Sequence, residues 1–153
     1  MDQHKWDTRF LTLAEQVAGW SKDPSTKVGA VLVDDKNLIV GLGYNGFPRG
    51  VLDLPERYND RATKYEIVVH AEVNAILMAG PKAEGSHLYT WPSFIIPPIC
   101  ARCCGVAIQA GVKEIIGYPP NENDERVKRW QDSILIARLM CNEAGVSYRV
   151  VTQ

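Results

Sequence analysis

The spacing of apolar residues changes along the chain and separates helices from strands. From Trp6 to Val17 apolar residues recur every three or four positions, which predicts an amphipathic helix over residues 5–19. The β-rich runs VGAVLV (28–33) and LIVGLGY (38–44) are joined by four turn-forming residues. They predict a β-hairpin whose two strands are both largely buried.

The second half of the chain alternates strands with helices. The runs HLYT (87–90), VKEIIGY (112–118) and VSYRVV (146–151) predict strands, and residues 99–110 and 124–144 predict the helices between them. This order favours parallel pairing through right-handed crossovers. With the hairpin, it predicts an α/β fold: a three-layer α-β-α sandwich around a mixed five-stranded sheet.

The middle of the chain contains one further predicted helix. Residues 45–64 show Gly, Pro and charge without periodicity, which predicts a long connection that is either functional or mobile. HAEVNAIL (70–77) then opens a helix expected to run to Ala79 and to end at Gly80-Pro81. The predicted core stripe of this helix is Val69, Val73, Ile76 and Leu77.

Composition narrows the class of protein. The 153 residues are 46% hydrophobic and 23% charged, ordinary for a globular protein, and predict a single domain over residues 1–153. The charged start MDQHKWDTRFLTL does not read as a signal peptide, which predicts a cytoplasmic location. The net charge of −1 argues against a nucleic-acid partner, and no membrane partner is expected.

The first candidate chemistry lies at the start of the HAEVNAIL helix. Residues two apart on a helix point about 200° from each other, so His70 and Glu72 can converge only beyond its N-terminal end. Free N–H groups and the positive end of the helix dipole make that end suitable for anionic ligands.

A second group lies thirty residues later. Cys100 and Cys103 share one face at the start of another predicted helix, where a helix N-terminus favours the metal-binding thiolate. With His70 they provide three ligands for Zn²⁺ and leave a fourth position for water, the arrangement of catalytic zinc. Glu72, close by but not a ligand, can carry the proton of that water. One His, two Cys, a Glu that is not a ligand and a nearby Pro match the residue types of the zinc-deaminase signature H-x-E…P-C-x-x-C.

A simpler interpretation exists for each motif alone. His-x-Glu is common by chance, and Cys-x-x-Cys also marks thioredoxin-type redox pairs. The redox interpretation leaves His70 and Glu72 without a role. The two motifs together, each opening a helix, favour the zinc site.

The chain also resembles the deoxycytidylate (dCMP) deaminase family of the cytidine deaminase fold. The resemblance rests on HAEVNAIL, the later Cys-x-x-Cys, SKDPSTKVGAVLVD, IVGLGYNGFPRG and IQAGVKEII, and extends from Leu13 to Val150. It implies hydrolysis of dCMP to dUMP and ammonia, a small-molecule nucleotide partner, and a homo-oligomer between a dimer and a hexamer. It also implies that His70, Cys100 and Cys103 bind zinc and that Glu72 is the proton shuttle.

The same resemblance implies substrate contacts. Asn45 would meet the sugar hydroxyl and the backbone around Ala71 the pyrimidine edge. The candidates near the phosphate are Ser21, Lys22, Thr26 and, more weakly, Tyr118. Independently of the resemblance, Trp91 could stack on a base or anchor its loop.

Three segments depart from the family pattern. The loop TWPSFIIPPIC (90–100) is longer and places Ile99 between the prolines and the first cysteine. Trp20 stands where Arg is expected, and GVLDLPERY (50–58) lacks the usual Cys- and Asp-rich run. dCMP is the expected substrate, and the departure in the 90–100 loop leaves cytidine, dCTP or a modified dCMP open as alternatives. A polynucleotide base is a further alternative, which the acidic charge balance disfavours. A non-catalytic nucleotide-binding protein on the same fold is the alternative from another class.

The remaining His and Cys residues are expected to be structural. Cys104 points about 100° away from Cys103 on the helix, and Cys141 reads as a small core residue. His4 and His87 have no partner at ligand spacing, which favours surface or capping roles. The last helix, with Trp130, is expected to serve the core or a subunit interface.

Overall fold

The computed structural model describes residues 2–94 and 96–153. Five strands form one sheet in the order β2-β1-β3-β4-β5. The strands are β1 Gly29–Val33, β2 Ile39–Tyr44, β3 His87–Trp91, β4 Glu114–Gly117 and β5 Ser147–Val150. β1 pairs antiparallel with both neighbours, whereas β3, β4 and β5 are parallel. The predicted mixed five-stranded sheet is therefore confirmed, and only β1 runs against the others.

Helices cover both faces of the sheet. They are α1 Gln3–Ala18, α2 Pro55–Asn59, α3 Arg61–Ile67, α4 Ala71–Ala79, α5 Ala101–Gln109 and α6 Arg126–Ala144, with a 3₁₀ turn at Gly80–Ala83. α1 packs with Val31, Tyr89 and Ile116 on one face. The opposite core joins alternate strand residues such as Leu32 to α4, α5 and α6. This alternation follows the two-residue period of the strands and confirms the three-layer sandwich.

Helix α4 lies directly on the backbone of β2. A Cβ added at Gly41 or Gly43 would come within 2.3 Å of the Ala75 or Ala71 carbonyl oxygen, respectively, so only glycine permits this approach. The buried face of α4 is correspondingly small and consists of Ala71, Glu72, Ala75, Ile76 and Ala79. The predicted core stripe is wrong at Leu77, which is 70% exposed.

Two further expectations are corrected. β2 is not largely buried: Ile39 and Tyr44 are exposed, because β2 is an edge strand with a neighbour on one side only. The irregular connection after Asn45 contains α2 and α3, which are too short to show a helical period in the sequence. Pro55 at the first turn of α2 is the local signal that announces a helix there.

The structure places the two structural cysteines and His87. Cys104 and Cys141 are fully buried between α5 and α6 with their sulfur atoms 3.4 Å apart, as expected for core residues. His87 neither caps a helix nor lies free on the surface. Its Nδ1 is 2.9 Å from Glu114 and its Nε2 is 3.0 Å from Asp35. Among the residues that the structure describes, no helix has the length and apolar character needed to span a membrane.

Candidate metal centre and active site

Two helix N-termini meet at one edge of the sheet. His70 occupies the N-cap position of α4 and Cys100 that of α5, both with extended backbone. α5 follows β3, so its start lies at the carboxyl end of that strand. α4 is brought to the same edge by its packing on β2, which runs in the same direction as β3. Open α/β sheets place ligand sites at this edge.

The side chains of His70, Cys100 and Cys103 converge. Their ligand atoms all lie within 4.8 Å of one another. The His70 Nδ1 is 3.2 Å from the Cys103 Sγ and 3.6 Å from the Cys100 Sγ. Zinc bonds of about 2.0 to 2.3 Å in a tetrahedron place ligand atoms about 3.5 to 3.8 Å apart. One imidazole nitrogen and two sulfurs at this spacing fit a zinc ion with one open position.

Protonation of the three groups is coupled through short contacts. A hydrogen bond from Cys103, opposed by burial and helped by His70, lowers the pKa of Cys100 to about 4. Bonding to Cys100, with burial, raises the pKa of Cys103. The His70 pKa is raised, chiefly by its bond to Cys100. The group thus favours one thiolate by itself, and a bound cation would favour both.

Glu72 lies in the first turn of α4 and is 7% exposed. Burial raises the pKa of its carboxyl group, and the positive field of His70 is the main opposing effect. The Thr90 hydroxyl donates a 3.1 Å hydrogen bond to Glu72 Oε1. Thr90 was not singled out in the sequence, although alternation along β3 places it on the side of the sheet that carries α4. A buried carboxyl with a raised pKa suits proton transfer near neutral pH.

A cavity of about 270 Å³ opens onto this group. His70, Glu72 and Cys100 line it, as do three of the predicted substrate contacts, Thr26, Asn45 and Ala71. Asn45 is nearly buried, and both ends of its amide bond to the protein: Nδ2 donates to the Thr26 carbonyl and Oδ1 accepts from the Val28 N–H, each at 2.8 Å.

The other four predicted contacts lie outside this cavity. Ser21 is buried and donates to the Asn45 carbonyl oxygen at 2.8 Å, so it supports a cavity residue from behind. Lys22 is exposed and pairs with Asp53 at 3.0 Å. Trp91 and Tyr118 pack on the α1 side of the sheet. Alternation explains Trp91: its neighbour Thr90 faces the site, so Trp91 faces the other way.

Several residues that line the cavity were not predicted from the sequence. Arg61 and Lys64 come from α3, and Arg126, Arg129 and Trp130 come from α6. The spacing 126, 129, 130 is that of one helical face, which was the available signal. Trp130 meets the His70 ring edge-on at a centroid distance of 6.1 Å and is therefore a cavity wall, not only core or interface as expected.

The loop before α5 forms another wall of the cavity through Pro92, Phe94, Pro98 and Ile99. Arg138 of α6 donates to the Ile96 carbonyl oxygen at 2.9 Å, and the Arg126 guanidinium lies 5.0 Å from the Phe94 ring centroid. Ile95, part of the departure noted in this loop, is outside the described residues. Helix α6 therefore holds the loop whose length sets this chain apart from the family pattern.

Comparison with known proteins identifies the family. A model of the cytidine and deoxycytidylate deaminase zinc-binding region matches residues 4–118. The chain belongs to this family. The deoxycytidylate deaminase of Homo sapiens is 39% identical over 154 residues, which cover 97% of this chain and 80% of the human protein. An uncharacterized deaminase from the luxG 3′ region of Aliivibrio fischeri is 39% identical over 93% of this chain and 90% of its own length.

Solved structures show the same fold. The dCMP deaminase of cyanophage S-TIM5, solved in complex with dCMP and dUMP, gives a TM-score of 0.70 at 24% identity and covers 95% of this chain and 96% of that one. RibD of Acinetobacter baumannii gives 0.63 at 22% identity and covers 96% of this chain but 35% of RibD. The protein is thus a zinc-dependent deaminase by family, and its His-Cys-Cys group fits the metal that the family binds.

Proposed function

We propose that this protein hydrolyses dCMP to dUMP and ammonia, with zinc held by His70, Cys100 and Cys103 and with Glu72 carrying the proton. Relatives named deoxycytidylate deaminase, 38% or 39% identical over nearly the whole chain, support the substrate. The convergence of the three ligand atoms beside a cavity that His70 and Cys100 line supports the chemistry.

The residues around the metal site have separate roles in the proposed reaction. Zinc in such a site supplies Lewis-acid activation of water. Glu72 is buried beside the ligand group, so it can take one proton from water and deliver it to N3 of the ring. It can then carry the second proton, which the new C4 hydroxyl releases as it becomes the carbonyl, to the departing amine. The Thr90 hydroxyl donates a 3.1 Å hydrogen bond to one carboxylate oxygen of Glu72 and so orients the carboxyl group that transfers the proton. The backbone of Ala71 and the buried Asn45 would orient the ring and the sugar.

One observation favours a nucleotide over a nucleoside. Arg61 and Arg129 line the same cavity as Glu72, and within residues 2–94 and 96–153 neither side chain makes a hydrogen bond or an ion pair within 4.0 Å. Arginines that lack an internal acceptor are suited to a phosphate at the outer end of the ligand. Arg126 is less available because its guanidinium makes three hydrogen bonds to the Asp124 carboxylate, at 3.0, 3.2 and 2.7 Å.

Ammonia release from a panel of substrates tests this proposal. The panel contains dCMP, deoxycytidine, CMP, dCTP and a short single-stranded DNA, each with zinc-loaded protein. We expect the highest kcat/KM with dCMP, and an increase in KM for dCMP of about tenfold in Arg129→Gln, with little change for deoxycytidine. Arg9→Gln on the opposite layer is the matched control. Preference for another member of the panel, or product from none, would contradict the assignment.

We also propose that residues 1–153 act as one domain, in the cytoplasm, as a homo-oligomer. A reducing compartment keeps the two ligand cysteines available for metal. Large apolar side chains are exposed on β2 and α4 and again on α6, at Ile39, Leu77, Met78, Leu135 and Leu139. Apolar surface of this kind is typical of subunit interfaces. Sedimentation analysis of the purified protein measures the assembly, and a monomer at micromolar concentration would exclude it.

A further inference from the structure

A buried carboxylate lies in the cavity wall away from the metal group. Asp23 is 1% exposed, yet it lines the cavity. Its Oδ1 accepts the backbone N–H groups of Ser25 at 2.8 Å and Thr26 at 3.1 Å. Asn45 Nδ2 approaches its Oδ2 at 3.4 Å. The carboxylate thus ties together the loop before β1 and the residue that follows β2.

Lys64 of α3 supplies the compensating charge. Its Nζ lies 2.8 Å from Asp23 Oδ2 and 2.9 Å from Oδ1, and its side chain is 13% exposed. The ammonium group is thus within hydrogen-bonding distance of both carboxylate oxygens, and Lys64 also lines the cavity. A buried carboxylate without such a partner is strongly unfavourable, so the pair fixes α3 against this wall.

The pair also sets the orientation of Asn45. The Asn45 Nδ2 donates to the Thr26 carbonyl oxygen at 2.8 Å and points towards Asp23, while Oδ1 accepts from Val28. An amide reversed in this position would direct its carbonyl oxygen at a carboxylate and its donor at an N–H group. Asp23 therefore permits only one orientation of the Asn45 side chain.

We propose that Asp23 and Lys64 form a positioning pair that orients Asn45 and keeps this wall of the cavity neutral, so that an anionic nucleotide can bind. This inference rests on the proposed function and names the element of the site that admits the charged substrate. Lys64 without Asp23 makes the wall positive, Asp23 without Lys64 makes it negative, and removal of both makes it neutral again. Inside a low-dielectric cavity such changes act strongly on a ligand that carries a phosphate.

The experiment compares four zinc-loaded proteins: wild type, Lys64→Met, Asp23→Asn and the double variant. For each, kcat and KM are measured with dCMP and with deoxycytidine. The selectivity ratio is kcat/KM for dCMP divided by kcat/KM for deoxycytidine. In Lys64→Met we expect this ratio to fall at least tenfold, because KM for dCMP rises. Asp23→Asn should shift the ratio at least threefold the other way, and the double variant should return it to within threefold of wild type.

Controls separate this role from simple stabilisation. Lys113→Met removes a lysine from an exposed ion pair with Asp35 and should leave the ratio unchanged. A packing role alone would lower the activity of Lys64→Met equally for both substrates, and that result overturns the proposal. Should Lys64→Met fail to fold, Asp23→Asn carries the test alone, because an unchanged ratio there also overturns it.

Binding measurements keep the two proposals apart. Titration calorimetry of the four proteins with dUMP and with deoxyuridine requires no turnover. If the wild type is inactive but the affinity of the four proteins for dUMP still follows the charge of the wall, the proposed reaction is refuted. The proposal for the Asp23–Lys64 pair is then retained. If the wild type is active but the ratio of dUMP affinity to deoxyuridine affinity is the same in all four proteins, the proposed reaction is retained. The proposal for the Asp23–Lys64 pair is then refuted.

Discussion

Buried ionisable groups gather in two regions on opposite faces of the sheet, and they are satisfied in different ways. On the α1 side, Asp7 accepts from Tyr89 at 2.6 Å and from Arg149 at 2.6 and 2.9 Å. Arg149 also pairs with Glu114, which in turn contacts His87. At the metal centre, by contrast, one imidazole and two thiols face one another and a buried carboxyl.

The difference separates a structural network from a ligand site. On the α1 side Asp7 and Glu114 each have a cationic side chain within hydrogen-bonding distance. Although burial opposes it, bonding to Arg149 and Tyr89 lowers the pKa of Asp7. At the metal centre an imidazole nitrogen and two sulfur atoms converge within 4.8 Å of one another, and burial raises the pKa of the neighbouring Glu72. Converging donors of this kind indicate a bound cation, whereas the ion pairs that Arg149 makes with Asp7 and Glu114 indicate a stabilising role.

The largest expected effect comes from removing a metal ligand. Cys103→Ser should lose bound zinc and reduce ammonia release to background, because two remaining protein ligands hold zinc far more weakly. Metal content by mass spectrometry and activity are measured together. Cys104→Ser, the same substitution one residue later on the buried side of α5, should keep both. Zinc retained at full occupancy in Cys103→Ser would show that the metal binds elsewhere.

Next in size is the proton carrier. Glu72→Gln keeps the shape of the side chain and removes its acid-base function, so we expect turnover to fall by about 10²- to 10⁴-fold while zinc stays bound. Glu66→Gln on the exposed part of α3 is the matched control. Wild-type activity in metal-replete Glu72→Gln would remove Glu72 from the mechanism. The buried carboxyl at the metal centre would then be structural, like the acids on the α1 side.

On the structural side, Asp7→Ala should act on stability alone. It leaves Arg149 and the buried Tyr89 hydroxyl without their shared acceptor, which costs about 3 kcal/mol in the free energy of unfolding. Urea unfolding measures the loss. Zinc content and KM should stay at wild-type values at temperatures where the variant is folded. A selective change in KM would mean that the two faces are coupled.

The smallest effect concerns pH. Bonding to Glu114, against the effect of burial and with help from Asp35, raises the pKa of His87 above its ordinary value of 6.5. A histidine whose pKa is higher in the folded state than in the unfolded state contributes its full stabilisation below pH 6.5. That contribution is lost as the pH rises through the folded-state pKa. The stability advantage of wild type over His87→Gln should therefore shrink from pH 6 to pH 9, by at most about 1 kcal/mol because the pair is partly solvated. An advantage that grows with pH would contradict the charged imidazole.

Local signals in the sequence were sufficient for some parts of the site. HAEVNAIL and Cys-x-x-Cys each open a helix, and helix geometry alone places His70 and Cys100 at N-terminal positions that can face a common ligand. The order of elements likewise determined the mixed sheet, because strand-helix-strand crossovers permit little else. Both inferences depend only on residues close together in the chain.

Other features depend on which surfaces meet in three dimensions. The sequence indicated neither that α4 rests on two glycines of β2, nor that α6 turns Arg129 and Trp130 into the cavity, nor that Asp23 finds Lys64 forty-one residues away. The failed assignment of Leu77 to the core has the same origin. A periodic pattern specifies that one side of a helix is apolar, but only the packing of distant segments decides which atoms that side covers and which polar groups become buried partners.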